Sequence, residues 1–183
     1  MNCSLPLLLL KKRGCYKMFQ AGYLRLFSNE LKVLTAFFLI TLSIGFYLGI
    51  GFVNHTTDSH PQGIVENYNG NEADELAETM KFKKSEHEMY NILHTHFLSL
   101  SVIFFLLGLL LYGVPMNSFW RKFLMVEPLL SVMLTFGGIY FLWLGMEWMA
   151  YLVIFSGILM ILSYTAAILL IFKTLFNKKS SSF

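Results

Sequence analysis

The chain has 183 residues, of which 56% are hydrophobic, 16% aromatic and only 14% charged. That composition excludes a small water-soluble domain and suits one membrane domain with short polar tails. The formal charge of +3 resides in the ends and one short connection, which points to contact with anionic lipid and not with nucleic acid.

Residues 1–30 form a basic segment on the cytoplasmic side. The apolar block Leu5 to Leu10 is too short to cross a bilayer, and it precedes Lys11, Lys12 and Arg13, the reverse of the order in a secretory signal. Tyr16, Phe19, Tyr23, Leu24 and Phe27 recur about three or four apart with Lys17 and Arg25 between them. This spacing predicts an amphipathic helix lying on the membrane surface. Cys3 and Cys15 fall on the reducing side, form no paired metal motif and imply no disulfide framework.

A membrane domain over 31–173 follows, with four apolar stretches at about 33–53, 93–114, 124–146 and 148–172. Each is long enough to cross the roughly 30 Å hydrocarbon layer as a helix. Tyr47, Tyr90, Tyr112, Tyr140 and Tyr151 lie near the span ends, where a ring keeps its polar edge in the headgroup layer. Gly45, Gly49 and Gly51 in the first span, and Gly108 in the second, are expected to permit close backbone approach. Six basic residues precede the first span, Arg121 and Lys122 fill the 115–123 connection, and Lys173, Lys178 and Lys179 lead into a short tail over 174–183. The positive-inside rule therefore predicts an all-α, four-helix transmembrane bundle with both termini inside and loop 54–92 outside, in a bacterial cytoplasmic membrane.

The outer loop is expected to be structured. Pro61 and Gly63 constrain a turn, Ile64 and Val65 can dip toward the bundle, and Asn67, Asn69, Gly70 and Asn71 allow tight geometry, so 60–72 reads as a lid. Residues 72–80 read as a short acidic helix with Leu76 and Met80 on one face, a docking surface for a periplasmic or extracellular partner. Glu147 is the only residue left for a turn between the third and fourth spans, which must form a tight hairpin. Ser131, Thr135, Gly137, Gly138 and Gly145 face Ser156, Gly157, Ser163, Ala166 and Ala167 as small surfaces for that packing. Pro115 and Pro128 shape the inner connection and the start of the third span. With Glu127 read near the inner end and Glu147 at the outer end, no central ionisable relay is expected, which argues against a pump or a complete transporter.

The outer histidines carry the candidate chemistry. His55 follows the first span, His60 opens the lid, and His87, His94 and His96 lead into the second span. His87 and His94 share a helical face, whereas His94 and His96 point about 200° apart. His94 is expected to turn inward above Ser101 and Gly108, with His55 or His96 supplying a second nitrogen. A transition-metal site would draw on His55, His60, His87, His94 and His96, with Glu66 or Glu72 completing it or orienting an imidazole. A b-type haem would take His55 with His94, or His96, since no Cys-x-x-Cys-His attachment motif is present. Interfacial histidines also serve simply as hydrogen-bonding groups to headgroups and water. No paired nucleophile and base, phosphate loop or His-Glu-x-x-His motif is present, and a metal-bound water on His87, Glu88 and His94 lacks a third ligand. Two functions fit: a membrane subunit with a metal or haem at its outer face that supports electron transfer, or a non-catalytic assembly subunit beside a membrane protein partner or a second copy of itself.

Overall fold

A computed structural model describes residues 23–58, 60–72, 77 and 79–177. The first helix, α1, spans Asn29–Thr57; Ser28 caps it, its hydroxyl accepting from the Leu31 N–H at 3.4 Å. It stops at Asp58, which turns the chain through the left-handed region at φ 50°. A short helix α2, Pro61–Asn69, starts on a proline that needs no N–H donor in a first turn and ends at Gly70 with φ 80°. Helix α3, Glu86–Tyr112, opens with a capping box in which Ser85 and Glu88 satisfy each other's backbone N–H groups. Helix α4, Ser118–Trp143, is capped by Asn117, and α5 covers Met149–Phe176.

α1, α3, α4 and α5 are long and apolar enough to cross a membrane. At 1.5 Å per residue they run about 39 to 44 Å, so their ends stand beyond a hydrocarbon layer of roughly 30 Å. α3 begins seven residues before the apolar run it carries and α4 six, because caps and propensity set a helix start while hydropathy marks only the part in lipid.

The α4–α5 hairpin is the most tightly packed part of the bundle. A Cβ on Gly138 would sit 3.0 Å from Val153 Cγ2, and the Thr135 and Ser156 hydroxyls pair at 2.7 Å. The connection is 144–148 and not Glu147 alone, with Gly145 at φ 103° making the reversal. Gly137 and Gly157, expected at the same seam, meet nothing within 4 Å. Pro128 lies inside α4, not at its start. α3 packs along α4, with the Phe97 ring 6.1 Å from Phe136 and Gly108 against Met125, while Phe104 meets Phe46 of α1 and Tyr164 of α5.

α1 is attached differently. Phe46 stacks on Tyr164 at 3.9 Å, the Tyr47 and Thr165 hydroxyls meet at 2.8 Å, and the Tyr164 hydroxyl donates to Ser43 Oγ at 3.3 Å. Outside this patch the helix is largely bare: 17% of its apolar window is buried, against 44% for α4.

The lid is ordered, but its first part is helical and not the turn that Pro61 and Gly63 suggested. Ile64 and Val65 are buried as expected, and Gly63 rests on the Thr57 carbonyl with no room for a Cβ. Asn69 donates to the Leu142 carbonyl at 2.9 Å, and Trp143 Nε1 donates to the Lys84 carbonyl at 2.8 Å. Lys84 N–H donates to Tyr68 O at 3.0 Å, and Lys81 Nζ donates to Thr56 O at 3.1 Å. These bonds tie the end of α1 to the end of α4. The acidic helix expected over 72–80 falls largely outside the described residues. At the opposite end of the bundle a 3-10 turn, Tyr23–Leu26, tucks beneath α3, with the Tyr23 hydroxyl donating to Leu109 O and Leu24 fully buried. The rest of the expected surface helix, with Cys3 and Cys15, lies outside the described residues.

Burial beneath the lid raises the Tyr68 hydroxyl above the ordinary tyrosine value. A raised value means that the folded form prefers the proton. Its contribution is fully present below about pH 10, the unfolded value, and is lost as pH rises through the higher folded one. The difference in thermal stability between the wild type and Tyr68→Phe is therefore expected to shift in favour of the variant above about pH 10. A difference that stays flat across this range would contradict the assignment.

Candidate functional site

The seven predicted ligands do not converge. His55 lies on the last turn of α1, His60 precedes α2 as a cap residue without a side-chain bond, and His87 lies in the first turn of α3; all three are exposed. Glu66 lies 4.0 Å from the Lys81 ammonium, and Glu72 Oε1 accepts from Lys83 N–H at 3.4 Å, so both carboxylates hold the lid together. Among the described residues no three His, Cys, Asp or Glu side chains gather as a ligand group.

The expected orientation of α3 is corrected. His94 and His96 are both exposed, but it is His96 that turns toward α4, its ring stacked on Phe136 with centroids 4.7 Å apart. The reason is the stripe that docks α3. Met89 is buried, and His96 lies seven residues, close to two turns, further on the same side. His96 Nδ1–H donates to Ile92 O at 2.8 Å, and in a neutral ring this leaves the lone pair on Nε2. The ring is thus held as a ligand's would be, yet it belongs to no group of three or more ligand side chains among the described residues.

A row of buried polar groups lies elsewhere, along α4 where it meets α5 through Thr135 and Ser156. Glu127 is 5% exposed, and its Oε1 accepts the Ser131 hydroxyl. Thr135 follows one turn later and pairs with Ser156, whose hydroxyl also lies within 2.8 Å of the Leu152 carbonyl. Glu127, Ser131 and Thr135 are spaced i, i+4 and i+8, which places them on one helical face. That spacing was legible in the sequence. Glu127 lies near the inner end of the apolar run that starts at Leu124, although α4 itself starts six residues earlier at Ser118. The carboxyl therefore sits well within the helix but only three residues into the apolar run that marks its part in lipid.

Four membrane-length helices, a packed lid and a buried polar seam define an all-helical integral membrane protein. Within that class, the chain belongs to the Aq_1264_TM family, described as a transmembrane helical domain, whose model matches residues 58–182. The match takes in the lid and α3 to α5 and begins where α1 ends. No curated protein and no solved structure matches the chain.

Proposed function

We propose that the protein is a non-catalytic assembly subunit of a membrane protein complex, with α1 as the helix that receives a transmembrane helix of its partner. The observation that carries this reading is the glycine face of α1. Gly45 and Gly49 form a Gly-x-x-x-Gly pair on one side of the helix, and an added Cβ at either meets nothing within 4 Å. Small residues at this spacing let two membrane helices approach closely, and here no helix of the same chain uses them. The family match that starts after α1 supports treating this helix as an attachment to a common core. Gly138, by contrast, is used inside the hairpin and offers no surface to a partner.

The redox reading, with a transition metal or b-type haem at the lid face, ranks second. Its support is His96, fixed by Ile92 and Phe136 with Nε2 left as an acceptor. Metal analysis and a visible spectrum of gently purified protein test it. We place the protein in a bacterial cytoplasmic membrane with the lid outside. The basic flanks support this, as does a shallow cleft at the opposite end lined by Arg25, Asn29, Lys32 and Asn177 above Val33, Leu175 and Phe176, which suits a surface of anionic lipid.

Gly49→Leu separates folding from assembly. It is expected to change monomer stability by less than about 0.5 kcal/mol, since the site is open, while reducing recovery of the native complex at least tenfold. Co-purification from native membranes reads the complex. Undiminished recovery of the complex would remove α1 as the docking helix, and a self-associated species alone would make the occupant a second copy.

A further inference from the structure

Two hollows adjoin at the end of the bundle opposite the lid. The first is a cleft of about 460 Å³ between three elements: Arg25 on the 3-10 turn, Asn29, Lys32 and Val33 at the start of α1, and Leu175, Phe176 and Asn177 at the end of α5. The second is a groove along α1 that shares Asn29 and Val33 with the cleft and continues over Leu34 to Phe37, with Glu30 also lining it. Asn29, Val33 and Phe37 are spaced four apart, so they form one row on the helix about 12 Å long. Along that row the lining turns from polar to apolar at Val33, where the apolar run of the first span begins.

The cleft is cationic. Lys32 is half-buried and Arg25 is exposed, and neither is paired with a carboxylate among the described residues. α1 begins and α5 ends here, so the two helix dipoles oppose each other and the side chains set the sign of the cleft. No carboxylate lines it. Glu30, in the adjoining groove, is engaged by the Ser28 side chain and its own backbone N–H, which hold its carboxyl below the ordinary value. The other described acids lie at the lid end, apart from Glu127, which is buried on α4. A partly desolvated ammonium gains from a counter-charge, and the Arg25 guanidinium with the Asn29 and Asn177 amides adds donors that suit phosphate oxygens.

We propose that this end of the protein binds one anionic phospholipid, its phosphate between Arg25 and Lys32 and an acyl chain along Val33, Leu34 and Phe37. The site is a defined one, distinct from the general attraction of basic flanks for a membrane surface, and it is independent of the assembly role. An amphiphile fits better than a free phosphate, because the polar cleft opens directly into an apolar groove at the level where headgroups meet hydrocarbon. An anionic headgroup fits better than a zwitterionic one, because the cleft presents no carboxylate to a choline or ethanolamine group.

Native mass spectrometry of the full-length protein tests the proposal, with phosphatidylglycerol and phosphatidylcholine of identical chains as probes. The wild type should hold one phosphatidylglycerol roughly 30-fold more tightly than phosphatidylcholine, the ratio that two basic residues at a lipid surface imply. Lys32→Gln and Arg25→Gln should each cut that preference about fivefold, and Lys32→Arg should keep it. Phe37→Ala should weaken both lipids alike, since they share the chain groove. Lys122→Gln, exposed on α4 and lining neither hollow, should change nothing. Equal losses from Lys122→Gln and Lys32→Gln would overturn the proposal in favour of diffuse attraction to a basic surface. Displacement of the lipid by inorganic phosphate, with Phe37→Ala silent, would overturn it in favour of a soluble anion.

Discussion

Gly138→Leu is expected to destabilise the bundle by roughly 3 kcal/mol, at the upper end of what overpacking a filled interior costs. A Cβ alone at this position would stand 3.0 Å from Val153 Cγ2, and a leucine adds three further carbons in the same direction. Neither helix can yield cheaply. α4 and α5 are held in register by the Thr135 and Ser156 pair three residues away on each, and by the turn at Gly145. Because lipid is as apolar as the side chains, association of the two helices depends on this close fit. Unfolding of the purified protein in mixed detergent should report the loss. Gly137→Leu, where a Cβ meets nothing within 4 Å, should change stability by less than about 0.5 kcal/mol. Equal effects at the two positions would show that the hairpin is not packed through Gly138.

Gly63→Ala is expected to unseat the lid at a cost of about 2 kcal/mol, a further case of overpacking. The added methyl would run into the Thr57 carbonyl, which is backbone and accepts the His60 N–H at 3.1 Å. Thr57 is itself buried and bonded back to Val53 at 2.8 Å, so relief requires α2 to lift. Lifting exposes Ile64 and Val65. A cysteine at Ile64 should then react with a water-soluble maleimide roughly 30-fold faster in the Gly63→Ala background, the ratio that about 2 kcal/mol implies. Unchanged labelling would mean that the end of α1 adapts without releasing the lid. α3 to α5 are expected to keep their packing in this variant, because the lid is joined to them by hydrogen bonds at its other end.

The membrane architecture was readable in the residues because bilayer thickness imposes a length and a polarity on each span, and both are local properties of the chain. The lid was readable in part: Ile64 and Val65 interrupt a polar segment and are buried as that pattern suggested. That Pro61 begins a helix depended on the seat that Thr57 provides for Gly63, a contact between two elements. Facing directions were decided only in three dimensions. Spacing pointed to His94 as the inward residue, whereas in the packed bundle it is His96 whose ring lies on Phe136 of α4.

The small residues show the same division. Gly45, Gly49, Gly137, Gly138 and Gly157 are alike in sequence, yet of these only Gly138 is enclosed by a neighbour. Glu127 shows it most clearly. Hydropathy placed the carboxyl near the edge of the third span, but only the packed structure shows it buried there at 5% exposure with its Oε1 bonded to Ser131. Composition and run length determined that the chain crosses a membrane four times, because solvent sorts residues one by one. Which faces close on each other, and which polar atoms are left within them, was decided by the tertiary structure, because packing selects among helix rotations that local hydrophobicity leaves nearly equal in energy.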